Sequence, residues 1–310
     1  MNEFQLIEKL TKALPINDSV IIGSGDDCAV LDLGPGDKRL LFKTDAVVEG
    51  IHFLNTTQPE LIGHKALARC LSDIAAMSGE PTSALVTLAL PRAFDPVFVE
   101  RIYAGMTALA AKYNVAIVGG ETTTNPERLL ISIALLGTVE KSRCVLRSGA
   151  KTGDAIFVTG ELGGSFSGRH LVFEPRLAEA RWLTANFTMH SMIDLSDGLA
   201  GDLRHILHAS HVGAELLATS IPISRAARLQ ARGESSAKPP LLAALTDGED
   251  FELLFTTKSC NAVPLLDAWK QQFPETKLTC IGKITNSPGL KIRDQNGVKE
   301  FSGSGYVHFA

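Results

Sequence analysis

Ser148-Gly149-Ala150-Lys151-Thr152-Gly153-Asp154 interrupts the chain near its middle. Two glycines, a serine and a threonine within seven residues break any strand or helix period, so the passage reads as a domain boundary. Before it, residues 39–45, 83–90, 115–118 and 129–139 read as strands. Pro91 stops the second, and Gly119-Gly120 ends the third. Residues 4–13, 61–77 and 95–113 read as helices. In the second of these Leu67, Leu71 and Ile74 form one stripe, and Asp95 is suited to cap the third. Beyond the boundary the pattern restarts. Residues 155–159, 192–195, 214–218 and 251–256 read as strands, and helices fill 165–187. Another helix carries Leu199, Leu203, Ile206 and Leu207 on one face, and 232–240 reads as a loop. Strands and helices mixed in both halves predict an α/β (or α+β) protein of two sandwiched domains, 1–148 and 149–310.

The bulk composition narrows the classes. The 310 residues are 45% hydrophobic and 21% charged, enough apolar material for two cores. A net charge of -4 argues against a nucleic-acid partner. An acidic chain that handles polyanions has to supply cations locally. The cysteines at 28, 70, 144, 260 and 280 are scattered, odd in number and never spaced CxxC. That pattern suggests neither a zinc site nor a disulfide framework, and fits a reducing compartment. The N-terminus has an early Glu3 and no long apolar run, unlike a signal peptide. No stretch approaches the ~20 apolar residues of a membrane span. A soluble, cytoplasmic protein is expected, with no membrane and no nucleic acid among its partners.

Several nucleotide-handling signatures are absent. There is no GxxxxGK[ST] loop, no HRD/DFG/VAIK set, no GxSxG elbow, no HExxH and no GxGxxG after a strand. What recurs is a carboxylate at an element end beside glycine or a hydroxyl: Gly25-Asp26-Asp27, Thr44-Asp45, Asp73, Gly119-Gly120-Glu121, Asp194-Leu195-Ser196-Asp197-Gly198 and Gly248-Glu249-Asp250. Hard oxygen donors of this kind suit Mg²⁺, which is held by a few carboxylates together with substrate phosphates. With the metal present, a site that would repel phosphate attracts it.

Each piece also has a plain reading. Asp73 follows Arg69 by four residues and reads equally as its partner on an exposed helix face. Ser196 or Asp197 suits a helix cap. Gly25-Asp26-Asp27 suits an ordinary turn, and Gly119-Gly120 a turn without a ligand. Arg147 suits a surface charge, His52 a satisfied polar group at a core edge, and Tyr306 a packing aromatic. The number and order of the pieces carry more weight than any one of them.

Taken together, GDDCAV (25–30), KTDAVVEGIHF (43–53), LSDIAAMSGEP (71–81), VGGETT (118–123), LRSGAKTGD (146–154), IDLSDGLAGD (193–202) and GEDFELLF (248–255) resemble the thiamine-monophosphate kinase family. That family lies within the AIR-synthase-like ATP-binding superfamily. The resemblance runs to the closing Gly305-Tyr306-Val307-His308-Phe309. It implies a two-domain AIR-synthase-like fold, with an N-terminal mixed sheet that dimerises and a C-terminal α/β sandwich. It implies a homodimer acting on thiamine monophosphate and ATP with several Mg²⁺ ions. Carried over by position, Asp27, Thr44, Asp45, Asp73, Glu121, Asp194 and Asp197 correspond to metal ligands, Asp27 and Asp197 being catalytic through the metal. Tyr103, Gly119, Gly120, Arg147 and Ser196 correspond to ATP contacts. His52, Glu249, Asp250 and Tyr306 correspond to substrate-side positions. Glu121 stands where the family usually has Asp, and Lys43 where relatives often have a small hydroxyl residue.

The acceptor the resemblance implies is a phosphate monoester. Its second pKa is near ~6, so it is dianionic at neutral pH and needs no general base. The obstacle is repulsion between two polyanions, which direct in-line transfer assisted by Mg²⁺ overcomes. Three rivals remain open: another AIR-synthase-like ATP-dependent enzyme, a metal-dependent phosphatase and a nucleotide sensor. Cys28 sits in a Cys-Ala-Val-Leu run and reads as core, not as the reactive residue that a selenophosphate synthetase would carry.

Overall fold

The computed structural model describes residues 3–233, 238–303, 305 and 306, with Phe4 described by its backbone alone. Residues 234–237 of the expected loop and the closing Val307, His308 and Phe309 lie outside the described residues. The chain falls into two compact units. The first comprises residues 18–144 and 170–177; the second comprises 1–17, 145–169 and 178–310. Helix α1 (Glu3–Thr11) opens the chain and counts with the second unit.

The first unit is a six-stranded mixed sheet with two helices. In chain order it runs β1 (Val20–Ile22), β2 (Ala29–Leu31), β3 (Lys38–Val48), α2 (Pro59–Ala76), β4 (Glu80–Leu90), α3 (Pro96–Lys112), β5 (Ala116–Thr124) and β6 (Leu130–Glu140). The sheet order is β1-β2-β3-β6-β4-β5, antiparallel except for β4 with β5. Strand alternation explains its two faces. On β6, Ile131, Ile133, Leu135, Gly137 and Val139 are buried while the residues that alternate with them are part-exposed. Leu41 and Val47 of β3 and Val86 and Leu88 of β4 turn the same way. This inner face is covered by α2, whose Leu67, Leu71 and Ile74 are fully buried, as the stripe predicts. Asp95 caps α3 by accepting from the Val97 N–H at 2.9 Å.

Residues 170–177 belong to this unit although they follow the boundary in sequence. Phe173 meets the His64 ring edge-on, Glu174 pairs with Lys112 at 2.6 Å, and the fully buried Lys65 Nζ lies 2.8 Å from His170 Nδ1.

The second unit holds a seven-stranded mixed sheet in the order β13-β12-β9-β11-β7-β10-β8. Its elements are β7 (Asp154–Thr159), α4 (Leu177–Asn186), β8 (Met189–Asp194), α5 (Leu199–Ser210), β9 (Gly213–Leu217), α6 (Arg225–Gly233), α7 (Pro240–Thr246), β10 (Leu253–Lys258), α8 (Ala262–Gln272), β11 (Leu278–Thr285), β12 (Gly289–Asp294) and β13 (Gly297–Glu300). Every residue of β7 is buried, as expected of a central strand. Leu199, Leu203, Ile206 and Leu207 of α5 pack into one apolar cluster with Ile156, Val158, Ile193 and Leu254.

Two expectations are corrected. Gly119-Gly120 does not end its strand: β5 runs through both glycines to Thr124. Residues 165–187 are not continuous helix. They form two single-turn 3-10 segments, Ser165–Ser167 and Arg169–Leu171, before α4. Gly164 and Gly168, both at positive φ, flank the first turn and stop it.

Candidate active site

In the first unit, the inner face of β3 and the last turns of α2 gather charge. Lys43 and Asp45 alternate onto that face with Leu41 and Val47. Asp73 is 6% exposed and Asp27, in the turn before β2, 2% exposed. Carboxylate oxygens of Asp27 and Asp73 lie within 4.8 Å of each other. Lys43 Nζ donates to Asp73 Oδ1 at 2.8 Å, and Arg69 reaches both oxygens of Asp45 at 3.0 and 3.3 Å. Asp73 is therefore buried and bound to Lys43, and the expectation that it lies on an exposed helix face is corrected.

Burial alone would raise the Asp45 carboxyl; Arg69 and Lys43 outweigh it and hold the group below its ordinary range. Burial likewise works against the Lys43 charge, and Asp73 and Asp45 outweigh it, so the ammonium stays protonated. Cys28, 2% exposed, has its thiol pushed up by burial and by Asp73. It is a protonated core residue, not a nucleophile.

Thr44 and Glu121 stand apart from this group. Thr44 is exposed and alternates onto the outer face of β3. Glu121 is exposed and opposes Thr87 of β4, on the side carrying Leu85. The first unit thus brings together Asp27, Asp45 and Asp73 and leaves the side chains of Thr44 and Glu121 on the other face. Gly119 and Gly120 lie on the exposed edge strand at φ +148° and +158°. A Cβ on Gly120 would sit 1.8 Å from the Val86 carbonyl oxygen, so glycine is required for β5 to pair there. Tyr103 is half-buried on α3, where burial raises its phenol. His52, 9% exposed, accepts from the Val48 N–H through Nδ1 at 3.0 Å, which places the proton of its neutral form on Nε2. Lys65 Nζ holds the His52 carbonyl at 2.6 Å.

In the second unit, two acidic loops interlock. Asp194 closes β8 and is 4% exposed. The Ser196 carbonyl accepts from the Glu249 N–H at 2.6 Å, and the Asp197 carbonyl from the Tyr306 N–H at 2.9 Å. Asp194, Ser196, Asp197, Glu249 and Tyr306 are thereby held around the start of α5. The N-cap of α5 is Gly198, with no side-chain capping bond, so the capping reading of Ser196 and Asp197 is corrected. Tyr306 is 44% exposed and not a packing aromatic.

Glu249 and Phe251 both adopt positive φ, +63° and +50°. Such strain in non-glycine residues persists where the surroundings impose it. Asp250 between them is 1% exposed. It accepts from the Gly163 N–H at 2.9 Å and from Arg169. Burial pushes its carboxyl up to about 7, against the pull of Arg169.

Five residues of these clusters escape the list drawn from sequence, Arg169 beside Asp250 among them. Lys43 and Arg69 supply cations to the first. Asp202 and His205 join Asp197 in the second, with one potential ligand atom from each within 4.8 Å of the others. The i, i+3 spacing of Asp202 and His205 behind Asp197 was the available signal. Burial, Asp197 and Asp194 push the Asp202 carboxyl well up, and Arg147 pulls it down. Arg147 is therefore within electrostatic reach of this cluster.

Residues 25–139 match the family described as AIR synthase related protein, N-terminal domain. That match places the first unit's mixed sheet in the AIR-synthase-related class. The chain is 43% identical to the thiamine-monophosphate kinase of Rhodopirellula baltica, over 90% of this chain and 87% of the relative. Against the Bacillus subtilis thiamine-monophosphate kinase it is 34% identical over the full length of both. A solved structure described as AaThiL complexed with AMPPCP and TMP superposes with a TM-score of 0.82 at 31% identity, covering 99% of this chain and 97% of that one. The chain belongs to the thiamine-monophosphate kinase family.

Proposed function

We propose that this chain transfers the terminal phosphoryl group of ATP to thiamine monophosphate, giving thiamine diphosphate and ADP. The full-length identity to thiamine-monophosphate kinases carries this reading. The clustered hard-oxygen donors of each unit support it.

That donor set also fits Mg²⁺, which takes a few hard carboxylate oxygens together with water and substrate phosphates. Asp27, Asp45 and Asp73 would hold it within the first unit and Asp194 and Asp197 within the second, while Thr44 and Glu121, on the opposite face of their sheet, would serve a separate ion. When bound, the metal supplies positive charge that offsets the mutual repulsion of the two phosphate compounds. The other roles fall to the chain's own groups. Arg147 adds a fixed positive charge for ATP. The backbone N–H groups of Gly119 and Gly120, on an edge strand without Cβ atoms, give phosphate oxygens close approach. Ser196 and Tyr103 complete the nucleotide contacts. Tyr306 offers an aromatic face to a flat cationic ring. His52 in the first unit and Glu249 in the second are each proposed as acceptor contacts. Asp250 is engaged with Gly163 and Arg169, which favours Glu249 as the direct contact and Asp250 as its support. The acceptor dianion attacks directly, with no phosphoenzyme.

We assign self-association and most of the ATP and metal contacts to residues 1–148, with Asp194, Ser196 and Asp197 adding to them from 149–310, which also carries Glu249, Asp250 and Tyr306 on the acceptor side. Phe42, Leu85 and Val118 leave 47%, 48% and 62% of their surface exposed on the first unit, which supports a homodimer through that sheet. No helix among the described residues is long and apolar enough to cross a membrane. The scattered free cysteines support a cytoplasmic setting.

The test is product analysis. Protein, MgATP and thiamine monophosphate should yield ADP and thiamine diphosphate in equal amounts, with no label retained on the protein from γ-labelled ATP. Inorganic phosphate in place of the diphosphate would make the chain a phosphatase, and binding without turnover would make it a sensor.

A further inference from the structure

The buried carboxylates of the first unit are already matched by cations of the chain itself. Lys43 Nζ lies 2.8 Å from Asp73 Oδ1, with the lysine side chain 23% and the aspartate 9% exposed. Two residues further along the same strand face, Asp45 is held by Arg69 at 3.0 Å. Asp27 adds a third carboxylate, within 4.8 Å of Asp73. Three carboxylates thus meet one ammonium and one guanidinium, which leaves a single formal negative charge. A divalent cation brings twice that charge, so a cluster so nearly balanced has little attraction left for several such ions. The lysine also occupies space. Its stem crosses from β3 toward α2, and its head takes the Asp73 oxygen that a hydrated ion would otherwise approach. A compact ammonium with three donors suits that position.

We infer that the Lys43 ammonium stands in for a divalent cation at Asp73, so that this chain binds about one divalent ion fewer than it would with a short side chain at position 43. Lys43 acts through Asp73 and is a positioning residue, not a catalytic one. The inference rests on the Mg²⁺-dependent reading above.

Mn²⁺ is the probe. The full-length chain is saturated with AMPPCP, and bound Mn²⁺ is counted from the paramagnetic resonance of the free ion. Lys43→Ser should bind about one more Mn²⁺ per chain than the parent. The added ion should vanish in the Lys43→Ser/Asp73→Asn double variant, and Lys43→Arg, which keeps the charge, should match the parent. If Lys43→Ser fails to fold, Lys43→Met replaces it. That variant keeps the stem and removes the charge, and should tighten Mn²⁺ binding about tenfold or more. Equal counts and affinities in the parent and the uncharged variants overturn the inference. Equal counts of zero throughout overturn the metal reading with it.

Discussion

Glu249 donates its backbone N–H to the Ser196 carbonyl over 2.6 Å, and this bond fastens the loop after α7 to the loop between β8 and α5. The second unit therefore presents residues about fifty positions apart as one acidic surface. Substitution in either loop should disturb the other. Replacing Asp197 with Asn should lower kcat by about 100-fold or more, on the scale of lost electrostatic stabilisation. Its thermal midpoint should stay within a few degrees of the parent. A variant with near-parental turnover at saturating Mg²⁺ would remove Asp197 from the machinery.

Asp250 makes stability depend on pH in an unusual direction. Its folded pKa of about 7 lies above the ordinary 3.8. Between those values the folded chain holds a proton that the unfolded chain has released. The contribution is present below about pH 4 and is lost as pH rises through about 7. Asp250→Asn does not titrate, so its stability should fall less over that window, by an upper bound of about 4 kcal/mol. Urea unfolding at intervals across the window measures this, and parallel profiles for the two proteins would refute it.

Arg69 and Asp45 give the opposite slope. Here the folded carboxyl lies below its ordinary value, so the stabilisation exists above the unfolded pKa and is lost as pH falls through the folded one. Arg69→Ala should cost about 1–3 kcal/mol at neutral pH, because it strands a largely buried carboxylate. The difference from the parent should shrink in acid, below about pH 4.

Gly119 and Gly120 should separate under alanine substitution. At Gly120 the new methyl would meet the Val86 carbonyl at 1.8 Å and push β5 off β4. A loss of about 1–3 kcal/mol is expected. At Gly119 the nearest atom is a leucine methyl at 3.7 Å, so the penalty there is conformational. Gly119→Ala should keep more stability and show its effect in KM for ATP. Melting curves read beside nucleotide titrations distinguish the two.

The exposed outer face of the first sheet should govern assembly. In the proposed homodimer, Phe42→Glu or Leu85→Glu should lower the mass to that of a monomer in light scattering after size exclusion, since a buried charge opposes association. An unchanged mass would place the contact elsewhere.

Fold class was legible because apolar period and turn residues agreed over most elements, as in α2 and β7. It failed where packing overrode local preference. Gly119-Gly120 reads as a terminator, yet β5 continues because only glycine fits against Val86. Helix α6 buries only Ala227, and β13 buries nothing, so neither left an apolar pattern to read. The acidic positions were legible one by one. Their cations were not: Lys43 meets Asp73 thirty residues on, and Arg169 meets Asp250 eighty-one residues on, and no local spacing encodes such pairs.

Residues 170–177 have a practical consequence for dissecting the gene. A fragment ending at 148 would lack His170, the neighbour of the wholly enclosed Lys65 ammonium, and would lay bare the ground beneath Phe173. Autonomous expression of the amino-terminal half therefore requires that short excursion to be grafted back, and a simple truncation should be recovered as insoluble material.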